Sequence, residues 1–537
     1  MKRLIKGGTI VDGSGRPGFV GDVLVDGDRI VDVIPSPSPH SVIRLFGDSV
    51  IEAKGLIVSP GFIDAHTHSD AYLVIEPDAP SKVSQGITTE LNGQCGGSVA
   101  PRYGEARLSS DWAAILGKRL TWHSLAEYRE VLERAKPAVN TVQFVGHNTL
   151  RSSVVGYAGR AATPEELCEM SRLLAESLDA GGWGLTTGLV YQPGKYSTPD
   201  EVIALAKVAA AKGGYYATHM RSEGDRILEA IDEVIELVRE TGIKAEISHL
   251  KTSGRKNWGK IDAVLEKIET AMGEGLLLGS DRYPYCAAGT DLDIVLPDWA
   301  QVGGCPAEVE RLRVAELRSK IVDEINASDR DWSEVMIGGT WDRDNKFFSG
   351  KTISDCLQGV ESSTRSSGAS RDSRTTPGEL ICDILERDGC KTGAFFFGMS
   401  EENLAKIYSR PWIVPGSDAS LRAPWGPLGA DHPHPRAYAT MPEFYRRVRA
   451  LGFSREETIA RMTSVVADRF GIKGRGRIEK GAFADLVVWN EDEFKAKATF
   501  TNPHQFTSGV RCVMVNGTIP YRDGRFTGDR GGWFLER

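Results

Sequence analysis

No apolar run in this 537-residue chain approaches the roughly 20 residues that a membrane-spanning helix needs. The opening residues, Met-Lys-Arg-Leu-Ile-Lys, are basic with no long apolar stretch behind them, so they read as a first β-strand rather than a secretion signal. Positive charge is also short. Lysine and arginine number 65 against 73 aspartates and glutamates, and the formal charge of −8 excludes a general nucleic-acid binder. A small anionic substrate stays open, because a few local basic residues decide that. The eight cysteines (95, 168, 286, 305, 356, 382, 390 and 512) include no Cys-x-x-Cys and no small-scaffold spacing. That usage fits free thiols in a reduced, cytoplasmic protein, most of them small core residues. No pattern in the chain specifies an oligomeric state.

What is present is ordinary in bulk, with 41% hydrophobic and 26% charged residues over a length that suits two or three domains. The two ends resemble each other. Residues 1–58 and 482–537 both carry short alternating apolar runs punctuated by Asp-Gly and Asn-Gly, the signature of antiparallel strands and tight hairpins. They are expected to form one β-sandwich built from both termini. Between them, residues 59–481 alternate short apolar strands with amphipathic helices. Eight strand candidates (60–64, 86–91, 141–145, 182–186, 214–218, 244–248, 276–281 and 411–416) point to a (β/α)8 barrel of the TIM type. Helices are expected at 164–179, 198–212 and 224–241. The roughly 130 residues between the last two strands exceed one βα unit. Residues 286–408 therefore read as an inserted subdomain over the barrel mouth, with helices near 306–328 and 376–388 and a mobile polar loop at 361–376.

The chemistry gathers where strands end. The first barrel strand runs into Ile63-Asp64-Ala65-His66-Thr67-His68. Residues i and i+2 of a strand share a face, so His66 and His68 can converge on one point, as a catalytic zinc requires. Taken alone, such a pair is equally a polar strand end. The second strand leads to Gln94-Cys95-Gly96, the fifth to Thr218-His219-Met220-Arg221, and the sixth to Ser248-His249-Leu250-Lys251. The seventh leads to Asp281-Arg282-Tyr283 and the eighth to Gly416-Ser417-Asp418. Four of the ten histidines thus fall on one rim, together with an acid and a thiol, which is the pattern of a site and not of packing. Asp418 is open to two roles, metal ligand or proton shuttle. Lys251, Tyr283 and Arg436 flank the rim and suit a carboxylate. His147 receives no role, His432 and His434 are read as shaping the Arg436 loop, and His40, His123 and His504 as surface or packing residues.

These motifs resemble the N-acyl-D-amino-acid deacylase (D-aminoacylase) branch of the amidohydrolase superfamily, over nearly the whole chain, with Asp431-His432-Pro433-His434-Pro435-Arg436 adding to the likeness. Many amidohydrolases bridge two metals with a carboxylated lysine at the fourth strand. Here Leu185-Thr186-Thr187-Gly188-Leu189 holds none, and the Cys95 thiolate can supply the missing anion. The resemblance implies one tightly bound zinc on Cys95, His219 and His249, and a second, weaker position at His66 and His68. It implies Asp418 as acid/base and Lys251, Tyr283 and Arg436 as holders of a substrate carboxylate. The implied partner is a small N-acyl amino acid, not a nucleic acid or a membrane. The competing readings are a cyclic-amide hydrolase like hydantoinase or dihydroorotase, which the missing lysine opposes, and a metal-free scaffold, which the complete ligand set opposes.

Overall fold

The computed structural model describes residues 2–36, 49–108, 115–366 and 375–537. His40 and the 367–374 part of the expected polar loop lie outside them.

Strands from both ends of the chain share one nine-stranded sheet. Lys2–Ile10 pairs antiparallel with Phe19–Asp26, which pairs with Arg29–Pro35. On its other edge Lys2–Ile10 meets Val50–Glu52 and then Ile57–Pro60, both parallel. Ile57–Pro60 carries Leu486–Trp489, and Val510–Val515 and Thr518–Arg522 follow. The alternating pattern puts Ile5, Val23, Val25, Leu486, Val488 and Met514 into one apolar cluster. Asn516 and Gly517, with φ of 47° and 75°, turn the hairpin between Val510–Val515 and Thr518–Arg522, where both central residues must be left-handed.

The apolar run before His66 is two strands, not one. Ile57–Pro60 belongs to the terminal sheet and Phe62–Asp64 to the next one. The chain crosses at Gly61, where an added Cβ would sit 2.1 Å from Thr88 Oγ1. Phe62–Asp64, Ile87–Asn92 and Asn140–Gln143 pair in parallel. Val145–Gly146, Gly184–Gly188, Tyr215–His219, Lys244–Ile247, Leu278–Arg282 and Ile413–Pro415 form a second parallel set. Trp183 N donates to Gln143 O at 2.8 Å, and Ala65 N to Pro415 O at 3.2 Å, so the hydrogen bonding returns from the eighth strand position to the first. The connecting helices follow local signals. Pro164–Asp179 opens on a Thr163/Glu166 capping box. Ile227–Thr241 buries Ile227, Ala230, Ile231, Val234 and Val238 at helical spacing and stops at Gly242, φ 65°.

Between the last two strands of that set, Ala288–Asp291, Val335–Ile337 and Gly393–Phe396 make a separate antiparallel sheet, over an apolar cluster of their own that includes Leu292, Ile321, Ile337 and Ile381. The helix expected at 306–328 is two, Cys305–Arg313 and Ala315–Asn326, broken at extended Val314. Part of the polar stretch expected as a loop is helical, since Ile353–Ser366 starts from a reciprocal Thr352–Asp355 cap and meets no proline. Helix Pro377–Asp388 follows, and beyond it Leu404 and Ile407 of helix Glu401–Tyr408 pack instead with the main core. Cys356, Cys382, Cys390 and Cys512 are buried, whereas Cys168 is exposed.

Candidate metal centre

Five strand ends bring their donors together in two adjoining groups. Cys95 Sγ lies 3.3 Å from His66 Nε2 and 3.3 Å from His249 Nε2. Asp418 Oδ1 stands 3.0 Å from His68 Nε2 and 3.4 Å from His66 Nε2. Donor atoms of His66, Cys95, His249 and Asp418 all fall within 4.8 Å of one another, and those of His219, Glu223 and His249 form an adjoining group. Three of these residues reach inward from left-handed backbone: Cys95 at φ 51°, His249 at 38° and Asp418 at 49°. Non-glycine residues adopt that region at a cost, and such strain concentrates at functional sites.

The charges interlock. Burial alone would raise the Cys95 thiol, but His66 and His249 hold it well below the usual thiol range. Burial would likewise raise Asp418, yet Arg436, His249, His66 and His68 keep it well below the carboxylate range. His68 runs the other way. Against its burial, Asp418 and Cys95 lift it to about 9. Cys95, Asp418, Glu223 and Asp281 therefore surround four imidazoles in a buried space, with Arg436 and Lys251 as the cations beside them. One thiolate with imidazoles and carboxylates is the donor chemistry of zinc, and His219 Nδ1 is buried with no hydrogen-bond partner. The residues fit a divalent cation.

Three supporting residues escaped sequence reading. Asp281, recognised only as part of a strand end, lies 3.1 Å from His66 Nδ1 and accepts from the His249 backbone N–H, so it orients the first ring and holds the backbone of the second histidine. Glu223 contacts His249 Nδ1 at 3.0 Å and His219 Nε2 at 3.5 Å; its position four residues after His219 was the available signal. Lys82 is wholly buried beneath the site, 3.1 Å from Asp64, 3.0 Å from Glu90 and 3.1 Å from Ser417 Oγ. No local pattern marks it.

Lys251 bonds to Glu223 at 2.5 Å and to His249 Nδ1 at 2.8 Å, so it stands behind the histidines. Arg436 pairs with Asp418 at 2.8 Å, and its guanidinium lies 4.6 Å from the Tyr283 ring centre. The Tyr283 hydroxyl is buried with no partner. His434 accepts from the Arg436 backbone N–H and reaches Ala287 O, while His147 is tied to Glu201 at 2.8 Å away from the centre. A cavity of about 1160 Å³ opens onto Cys95, His68, Asp418 and Arg436, walled on the other side by residues 289–294, 304–313 and 389–395.

Thiol, imidazoles and carboxylate at the C-terminal ends of parallel strands define a metal-dependent hydrolase class of site. Residues 49–287 and 398–521 match the amidohydrolase family, and the unmatched gap coincides with the separate antiparallel sheet. D-aminoacylase of Alcaligenes xylosoxydans xylosoxydans is 32% identical over 99% of this chain and 97% of its own length. N-acyl-D-glutamate deacylase of the same organism is 32% identical over 96% of this chain and 92% of its own. The solved N-acyl-D-glutamate deacylase of Bordetella bronchiseptica, complexed with zinc and a phosphonate inhibitor, superposes with a TM-score of 0.79 at 29% identity, covering 99% of each chain. The chain belongs to the amidohydrolase family, in its N-acyl-D-amino-acid deacylase branch.

Proposed function

We propose that this protein is a zinc-dependent hydrolase that cleaves N-acyl-D-amino acids to a carboxylate and a free D-amino acid. The observation that carries this reading is the Cys95 thiol seated 3.3 Å from imidazoles of two other strands, with an ionised Asp418 beside them. Cys95, His219 and His249 would hold the tightly bound metal, with His66 and His68 at a second, weaker position. When bound, the metal supplies Lewis acidity that makes water nucleophilic near neutral pH and polarises an amide carbonyl.

The protein's own groups do the rest. Asp418 is kept ionised by Arg436, so it takes a proton from the attacking water and passes it to the departing amine nitrogen. Tyr283 and Arg436, with Lys251 behind them, fix the substrate α-carboxylate at one edge of the cavity. With that group anchored, the hand of the α-carbon decides whether the acyl carbonyl reaches the thiol and imidazoles. The eight parallel strands are read as a (β/α)8 barrel over 59–481, and the terminal sheet as a β-sandwich of 1–58 and 482–537. Residues 286–408, apart from helix Glu401–Tyr408 in the main core, are read as a lid, which the two-sided lining of the cavity supports. The eight free cysteines support a reducing, cytoplasmic setting.

The fourth strand, Gly184–Gly188, has no lysine, and Lys195 beyond it pairs with Asp298, which disfavours a cyclic-amide hydrolase. A panel of N-acetyl-D- and N-acetyl-L-amino acids beside hydantoins, run on zinc-loaded protein, tests the reading. Turnover confined to the D series is expected. Cleavage of hydantoins in preference to the linear amides would overturn it.

A further inference from the structure

The roof of the cavity holds a second gathering of metal-type donors, apart from the strand ends. Asp293 lies on the 3-10 turn Leu292–Val295, Cys305 begins helix Cys305–Arg313, and Glu308 follows on the same helix face. One ligand atom from each of Asp293, Cys305 and Glu308 lies within 4.8 Å of the others. Glu308 is only 2% exposed, and its Oε2 has no hydrogen-bond partner. Among the described residues, no lysine or arginine forms an ion pair with Asp293 or Glu308. Two carboxyls facing each other in a buried place share a proton when no cation stands between them, and a divalent ion can take that proton's place. A second thiol is at hand. Cys390 follows helix Pro377–Asp388, is buried, and turns its Sγ to the Glu308 carboxylate, while Cys305 Sγ sits 3.5 Å from the Cys390 carbonyl. Asp293, Cys305, Glu308 and Cys390 all line the cavity, which gives an aqueous cation a way in.

We infer that Asp293, Cys305 and Glu308, with Cys390 against Glu308, form a divalent-cation site of the zinc class, separate from the strand-end centre. A thiol among the donors favours a thiophilic ion over calcium or magnesium, and the three donors leave the fourth position of a tetrahedral zinc to water. Binding displaces the Cys305 thiol proton and the proton shared by the two carboxyls to solvent, and leaves the oxidation states unchanged. The ion ties together two pieces of the insertion that edge the cavity, the turn after Ala288–Asp291 and the helix Cys305–Arg313, beside the segment at Cys390. Because Gly289 O accepts a hydrogen bond from Arg436 Nη2, bracing that strand steadies the neighbourhood of the catalytic arginine.

Cobalt(II) is the probe, since thiolate–cobalt charge transfer absorbs in the near ultraviolet and reports sulfur ligation directly. Full-length protein stripped of metal is titrated with cobalt in the Cys95→Ser background, which removes the strand-end thiolate. A remaining thiolate–cobalt band is expected, and it should vanish when Cys305→Ser is added. In otherwise unaltered protein, Cys305→Ser alone should remove part of the band and one equivalent of bound cobalt, which keeps the test decisive if the Cys95 variant fails to fold. Absence of the band in folded Cys95→Ser protein, or equal spectra with and without Cys305, would overturn the site.

Discussion

Replacing Asp418 by asparagine isolates proton transfer from shape. The side chain keeps its size, and it can still meet Arg436, which now pairs with its carboxylate at 2.8 Å. It can no longer accept a proton from water or return one to the amine. General acid–base groups contribute about 10²–10⁴ in rate, or about 3–5 kcal/mol of barrier at 1.36 kcal/mol per tenfold. We expect kcat to fall by about that factor while KM moves little, because substrate binding rests on other residues. Release of free D-amino acid from an N-acetyl-D-amino acid, followed by a coupled oxidase, gives kcat and KM. Metal analysis of the same sample gives zinc content. Asp418 also lies 3.0 Å from His68, within the donor group, so the second measurement matters. Lost turnover with zinc retained supports the shuttle. Near-parental turnover removes Asp418 from the chemistry, and loss of zinc in step with activity reassigns it as a ligand.

Cys95→Ala should sharply lower zinc content as well as activity, because the sulfur facing His66 and His249 is gone; full zinc occupancy in that variant would refute the ligand set. Tyr283→Phe removes a buried hydroxyl that has no partner in the protein, so KM should rise about 10- to 100-fold, the cost of a hydrogen bond to a charged group, with stability unchanged in thermal melts. Lys82→Met leaves Asp64 and Glu90 buried without their cation and should cost about 3–5 kcal/mol, read as a lowered unfolding midpoint in urea. Chelation should lower the melting temperature, since the buried anions lose the charge that pairs them in the metal-loaded fold, and restoring zinc should reverse the shift.

How far the sequence spoke for itself varies with the range of the interaction involved. Strand-end chemistry was legible because period-two patterning and a histidine pair are local, and every expected parallel strand lies within two residues of its observed position. The division at Gly61 was not, since only the approach of Thr88 from the neighbouring strand reveals that the backbone changes sheets there. The same distinction runs through the centre. Cys95, His219 and His249 could be picked out as residue types at strand ends, yet the left-handed backbone that aims Cys95 and His249 inward has no signature in a chain of ordinary L-residues. Asp281, Glu223 and Lys82 matter because of what they touch. Each is a charged residue that sequence logic assigns to a solvated face, and each is held inside by partners from distant segments. Composition and spacing could therefore nominate the donors, whereas the groups that orient and charge-balance them became identifiable only after folding supplied their neighbours. This accounts for Lys251. Its two-residue spacing from His249 suggested a substrate contact, and the spacing is real, but Glu223 captures the ammonium behind the imidazole. In that position Lys251 can influence a substrate carboxylate mainly through the charge it adds to the Glu223–His249 pair, so Lys251→Met should alter metal affinity at least as much as KM, and an isolated KM effect would restore direct contact.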